Sequence, residues 1–265
     1  LLPHYEDWQI TYVPHGISNR RFHKIEDDNT SLLDFDAKYG LSDKTFKILY
    51  SNRNIRRKMP GDVLLAYKYF MDGLTPEQRE ECVLIFHCAP IDENGTDLPR
   101  VHKHLCPDYD ICFTYNIDNR PFNDDEMNLL FNSADVYINL ASNEGFGLGS
   151  AEALTVGTPI IVNVTGGLQD QCGFKKDGKF LTPEDYVELG SNHTATYTEH
   201  GEWVFPIYPS NRSLQGSPMT PYIWDDRCQP EDAAIQLRKL YEMDREERKR
   251  LGSLGTEFCK DLLLG

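Results

Sequence analysis

The chain has 265 residues, 40% of them hydrophobic and 26% charged, the balance of an ordinary soluble globular protein with one large core or two modest ones. A formal charge of −15 opposes binding to polyanions such as nucleic acid or an anionic membrane surface. Apolar runs such as DVYINLA and TPIIVNV are too short to span a bilayer. Positive charge is concentrated in one island, NRNIRRK (residues 52–58), which leaves room for a small phosphorylated ligand.

In chain order, the opening LLPHYEDW lacks a Met and a basic n-region, so no signal peptide is predicted and the chain is expected to be a fragment or a processed form. TFKILYSN (45–52) is predicted as a first strand and GDVLLAYKYFMDGL (61–74) as a helix, from apolar residues at helical spacing. CVLIFHCAP (82–90) and YDICFTYN (109–116) follow as strands, and NDDEMNLLFNSA (123–134), with its acidic first turn, as a helix. DVYINLAS (135–142) is a fourth strand, GSAEALTVG (149–157) a short helix closed by Gly157, and TPIIVNV (158–164) a fifth strand. The alternation predicts an α/β domain: a parallel sheet with helices on both faces. Residues 191–227, polar and rich in turn residues and aromatics, are predicted as a long, irregular, partly ordered excursion. PEDAAIQLRKLYEM (230–243) and DREERKRLGSLGTEFCKDLL (244–263) close the chain as two amphipathic helices.

Seven scattered cysteines without a C-x-x-C favour reduced thiols, and the expected compartment is cytoplasmic. His87, Cys88, His102, His104 and Cys106 lie near one another in sequence, but their spacing fits no standard zinc site. The D-x-D triplets DFD (34–36) and DYD (108–110) are frequent accidents in an acidic chain. No metal site is expected.

NEGFGLGSAEA (143–153) has three glycines in five residues with an acid on either side. A dinucleotide fingerprint requires G-x-G-x-x-G and an acid at the end of the next strand. Here the glycines read G-x-G-x-G and the next strand ends Asn163-Val164-Thr165, so that reading fails. Two readings stay open. One is a plain tight turn between strand and helix. In the other, glycine amides and a helix N-terminus form a partly positive concavity for phosphate or sugar oxygens, and Glu144 and Glu152 accept hydrogen bonds from hydroxyls on either side. A nucleotide sugar has that shape.

At this point the sequence resembles a family, the retaining GT-B glycosyltransferases. NEGFGLGSAEALTVGTPIIV resembles their E-x7-E segment and the strand after it. YVPHGIS (12–18) resembles the beginning of their C-terminal domain, with His15 where Asn is usual, and NRNIRRK resembles their Arg and Lys after the first strand. FNSADVYINLASNEGFG carries the usual AD before the fourth strand, and TGGLQD (165–170) resembles the Gly-Gly turn after the fifth. The likeness is good over residues 12–175 and loose over 229–262.

The resemblance implies a Rossmann-like domain, the C-terminal, donor-binding half of a GT-B enzyme, over residues 12–265, with residues 1–11 a linker remnant. It implies a partner, the N-terminal GT-B domain that supplies acceptor contacts, and transfer with retention from a GDP- or UDP-linked sugar to a glycan or other acceptor. No cofactor or metal is implied. Glu144, Arg53 and Lys58 take the catalytic positions: the acid near the transferred sugar and the two cations on the diphosphate. Glu152 takes the ribose acid. Gly145, Phe146, Gly147 and Leu148 line the sugar and distal phosphate, Tyr115 and Asn116 meet the base, and Gly16 joins the donor site. Arg56 and Arg57 are expected to be solvated. The alternative is a non-catalytic nucleotide-sugar-binding module or degenerate transferase. A GT-B phosphorylase would require a pyridoxal lysine that the sequence does not display.

Overall fold

The computed structural model describes residues 15–262, together with residues 4, 6–9, 11 and 13; the rest of the predicted linker, and Tyr12 and Pro14 of YVPHGIS, lie outside the described residues. The strands are β1 (Phe46–Ser51), β2 (Cys82–His87), β3 (Ile111–Phe113), β4 (Val136–Asn139), β5 (Ile160–Asn163), β6 (Lys175–Lys176), β7 (Lys179–Phe180), β8 (Val204–Ile207), β9 (Asn211–Ser217) and β10 (Thr220–Arg227). The helices are α1 (Thr30–Tyr39), α2 (Pro60–Asp72), α3 (Pro76–Glu80), α4 (Leu98–Leu105), α5 (Thr114–Asp118), α6 (Asp124–Ser133), α7 (Leu148–Val156), α8 (Pro183–Leu189), α9 (Pro230–Tyr241) and α10 (Arg245–Leu262).

Six strands pair in the order β3-β2-β1-β4-β5-β8, all parallel. This is a Rossmann-like sheet, and both of its faces are covered. Successive residues of β1 enter different cores: Ile48 and Tyr50 pack with Leu84, Phe86 and Ile138 under α2 and α9, while Leu49 joins Ile85, Tyr137 and Leu154 under α7. Burial on both sides is why β1, β2, β4 and β5 read as continuous apolar runs rather than alternating ones.

Local sequence sets the helix ends. Asn123 and Glu126 form a capping box at the start of α6, and Gly157, at φ +86°, closes α7. Two predicted elements change. The third strand stops at Phe113, because Thr114 turns inward and its Oγ1 meets His87 Nδ1 at 2.9 Å; Tyr115 and Asn116 therefore lie in α5. The stretch 191–227 is more regular than its composition suggests. Val204–Ile207 is the sixth sheet strand, paired to β5. Its Pro206 obscures the strand signal but is tolerated at a sheet edge, where no ladder N–H is needed. β9 and β10 then form an antiparallel hairpin.

Candidate functional site at the sheet rim

The strand order reverses direction between β1 and β4, so the chain leaves these two neighbours toward opposite sides and a crevice opens beyond their carboxyl ends. Open α/β sheets bind ligands at such a point. The loop after β1 carries the basic island and the loop after β4 carries Glu144. The Lys58 ammonium pairs with Glu144 across the gap, and both side chains are about nine-tenths buried. Burial lowers the Lys58 pKa, and Glu144 opposes that shift. Arg57 is exposed, as expected, and its guanidinium also reaches this junction. Its guanidinium donates to Asn143 O (3.1 Å) and lies 3.8 Å from Glu144, while its own carbonyl accepts from Ser142 N (2.8 Å).

The Glu144 loop is held from behind by the predicted Gly-Gly turn. Gly167 N donates to Glu144 O at 2.9 Å. A Cβ on Gly166 would run into Glu144 O, and one on Gly167 into Gly145 O and Phe146 Cα, so these positions require glycine for close backbone approach. Gly147 precedes α7 at φ +89° with no side chain capping the helix, and Leu148 is exposed at its first position. Gly145 is exposed, and its N–H donates to the Glu144 carboxylate at 3.2 Å. Phe146 turns inward, its ring 4.9 Å from that of His15; Gly16, beside His15, is exposed.

Glu152 lies one turn into α7. Burial pushes its carboxyl up to about 7, against a smaller opposing pull from Arg21. Close to that helix start, Tyr137 donates to Ser51 O (3.0 Å) and accepts from Asn52 Nδ2 (2.9 Å), tying the end of β1 to β4. A Cβ on Gly149 would overlap that phenol, so α7 starts directly against the β1 end.

Other predicted site residues lie apart from this junction. The Arg53 side chain is 66% exposed and pairs with Asp92 at 3.2 Å rather than with Glu144. Tyr115 and Asn116 lie on α5 beyond β3, two strands from β1; Tyr115 packs by the buried His87, and Asn116 is exposed. Burial pushes the His87 imidazole down to about 4.

Two aspartates absent from the predicted set complete the rim. Asp225 accepts from Asn143 Nδ2 (2.7 Å) and Ser142 Oγ (3.2 Å). Asp226 donates its N–H to Ser142 O (2.7 Å), accepts at its carbonyl from Asn163 Nδ2 (2.6 Å) and at its carboxylate from Thr165 Oγ1 (2.9 Å). The β9–β10 hairpin is thereby fastened to the residues flanking Glu144 and the Gly-Gly turn. The sequence signal was slight: an Asp-Asp pair closing an aromatic run.

Residues 119–191, which span α6, β4, the glycine turn, α7 and the Gly-Gly turn, match the family model described as Glycosyl transferases group 1. The resemblance is to the glycosyl transferases of group 1. Among curated proteins, the glycosyltransferase MJ1607 of Methanocaldococcus jannaschii is 26% identical over 124 residues, which are 44% of this chain and 30% of that protein. The fold is that of solved glycosyltransferases. Anabaena Alr3699/HepE in complex with UDP-glucose superposes with a TM-score of 0.62 at 14% identity, over 94% of this chain and 52% of that one. The C-terminal domain of the group 1 protein LpcC from Francisella tularensis gives 0.60 at 14% identity, over 93% of this chain and 97% of that domain. The chain thus spans about half of the first of these solved structures and less than a third of the curated relative.

Proposed function

We propose that this chain binds a nucleotide-diphosphate sugar at the β1/β4 rim and is the donor half of a retaining glycosyltransferase that works without a bound metal. The observation that carries the reading is the meeting of Lys58 and Glu144 across the switch point, within the glycine-rich loops and beside the start of α7. A nucleotide sugar places a diphosphate between two polyol rings. In this reading Lys58, with Arg53 swung in from its exposed position, meets the diphosphate; Glu152 accepts from the ribose hydroxyls, and Glu144 faces the transferred sugar. Gly16, Gly145, Phe146, Gly147 and Leu148 line the sugar and phosphate, and Tyr115 and Asn116 meet the base. The likeness to a fold solved with UDP-glucose supports a UDP-linked donor, with a GDP-linked one as the alternative the titration tests.

Transfer breaks the bond from the anomeric carbon to the diphosphate oxygen. The acceptor hydroxyl oxygen attaches to the same face and its proton passes to the leaving diphosphate. Lys58 and Arg53 stabilise the charge growing on the leaving group, the largest contribution expected of pre-placed cations. The Glu144 carboxylate stabilises positive charge at the anomeric carbon. An N-terminal GT-B domain is the proposed partner that supplies acceptor contacts.

Calorimetric titration with GDP-mannose, UDP-glucose and UDP-N-acetylglucosamine tests the reading. At least one is expected to bind, and Arg53→Ala to weaken it by about 1.5–3 kcal/mol, the scale of a lost charge-assisted bond. No binding of any of the three at millimolar concentration overturns the donor site. Unchanged affinity in the variant removes Arg53 from it.

A further inference from the structure

We infer that the β9–β10 hairpin, fastened to the Glu144 loop, is an acceptor arm whose exposed apolar face, Trp224 with Leu214, receives a sugar ring of a saccharide acceptor. The inference rests on the donor reading for its transfer step, and on the hairpin alone for its ligand.

A two-stranded ribbon is marginal by itself in water. Here its base is fixed by Asp225 and Asp226 to Ser142, Asn143, Asn163 and Thr165, residues of the loops that carry and support Glu144. From this base the order continues outward. Asp226, only 3% exposed, lies 2.9 Å from Arg212 Nε, and the Arg212 guanidinium lies 4.6 Å from the centroid of the Trp224 ring. The pairing register sets Trp224 opposite Leu214 and Asp226 opposite Arg212, so these four share one face. Trp224 is 44% exposed and Leu214 59%; Tyr222, 60% exposed, lies where the register shifts between Thr220 and Ile223. The indole is therefore held by a cation and left open to solvent.

Size and charge select the occupant. Two exposed apolar side chains on one ribbon fall well short of the ~800 Å² per partner buried in a stable protein interface. Arg212 is neutralised by Asp226, and a chain at −15 repels anionic lipid and nucleic acid. A pyranose fits both constraints. Its C–H face is apolar and matches an indole, while its hydroxyl rim can reach Arg212 and His193, whose ring lies 3.0 Å from Arg212 Nη1. A second substrate of a transfer at Glu144 has to approach that loop, and the arm is fastened to it.

The test uses the full 265-residue chain and the three tryptophan indole N–H signals, Trp8, Trp203 and Trp224. Trp203 is buried and Trp8 is far more exposed than Trp224, so both serve as internal references. Glucose-, mannose- and N-acetylglucosamine-based trisaccharides are titrated to 50 mM. At least one is expected to move the Trp224 signal selectively and saturably. Trp224→Ala should weaken that saccharide at least fivefold, Leu214→Ala measurably, Trp224→Phe less than threefold, and nucleotide-sugar affinity should stay within twofold throughout. Three outcomes overturn the inference: a Trp224 signal unmoved by all three sugars, one moved instead by phosphatidylcholine vesicles, or one that follows protein concentration alone. A Trp224 response in a chain that binds no nucleotide sugar refutes the donor reading and leaves the saccharide arm standing.

Discussion

Glu152→Gln separates the two states of a buried acid. The carboxyl is pushed up to about 7 from an ordinary 4.5, chiefly by burial beside Tyr137 with Arg21 pulling weakly the other way. Below pH 4.5 the acid is protonated in folded and unfolded chains alike, and its contribution is fully retained. Between 4.5 and 7 the unfolded chain releases the proton while the folded chain keeps it, so stability falls as pH rises through the folded value. A displacement of that size at ~1.4 kcal/mol per unit gives a loss of about 3 kcal/mol, complete above pH 7. Glutamine stays neutral, so the stability difference between variant and wild type is expected to move in the variant's favour by about that amount from pH 4 to pH 8. Urea melts at half-unit intervals measure it. A parallel pH dependence in the two proteins would refute the burial argument. A nucleotide sugar, whose diphosphate does not titrate in this range, adds a second readout: if ribose hydroxyls donate to Glu152, wild-type affinity rises with pH toward 7 and the variant's stays flat.

Lys58→Ala leaves the Glu144 carboxylate buried with Arg57 at 3.8 Å as its remaining nearby cation. Breaking a buried pair from one side costs about 3–5 kcal/mol, reduced here by Arg57. The double variant Lys58→Ala/Glu144→Ala should lose less than the sum of the single changes, and additive losses in denaturant melts would mean that the two do not interact. Asp225→Ala leaves the Asn143 amide and the Ser142 hydroxyl without their carboxylate, at roughly 1–2 kcal/mol. A fall of a few degrees in Tm is expected, and an unchanged Tm would show that the hairpin base does not brace the Glu144 loop.

What the sequence made legible follows from how local each signal is. The buried strands announce themselves as apolar runs, α6 through its acidic first turn and α7 through Gly157, because each depends on residues within a few positions. The family resemblance names Lys58 and Glu144, in the basic island and the glycine-rich stretch that hold them, and the structure brings their side chains together across the rim. Arg57 is exposed as expected, but its contacts with Asn143 and Glu144 cannot be read locally, because those partners are 86 and 87 positions away and nothing nearby distinguishes it from Arg56. β8 was hidden by Pro206, whose cost disappears at a sheet edge that only the fold reveals. The hairpin was hidden for a related reason: its exposed apolar residues read as irregular loop until Asp225 and Asp226 are seen to anchor it.

The same distance dependence explains how the rim is assembled. Lys58 and Glu144 enter from loops whose strands meet only because the order reverses at β1, and neither loop could bury its charge alone. Desolvation disfavours the ammonium, and the carboxylate opposite opposes that penalty. A diphosphate entering the crevice would offer Lys58 a stronger anion than Glu144 and release the carboxylate toward the sugar. On this argument the ion pair holds both charges in place before a donor arrives. Removing Lys58 would therefore weaken donor binding and leave Glu144 without the cation that positions it.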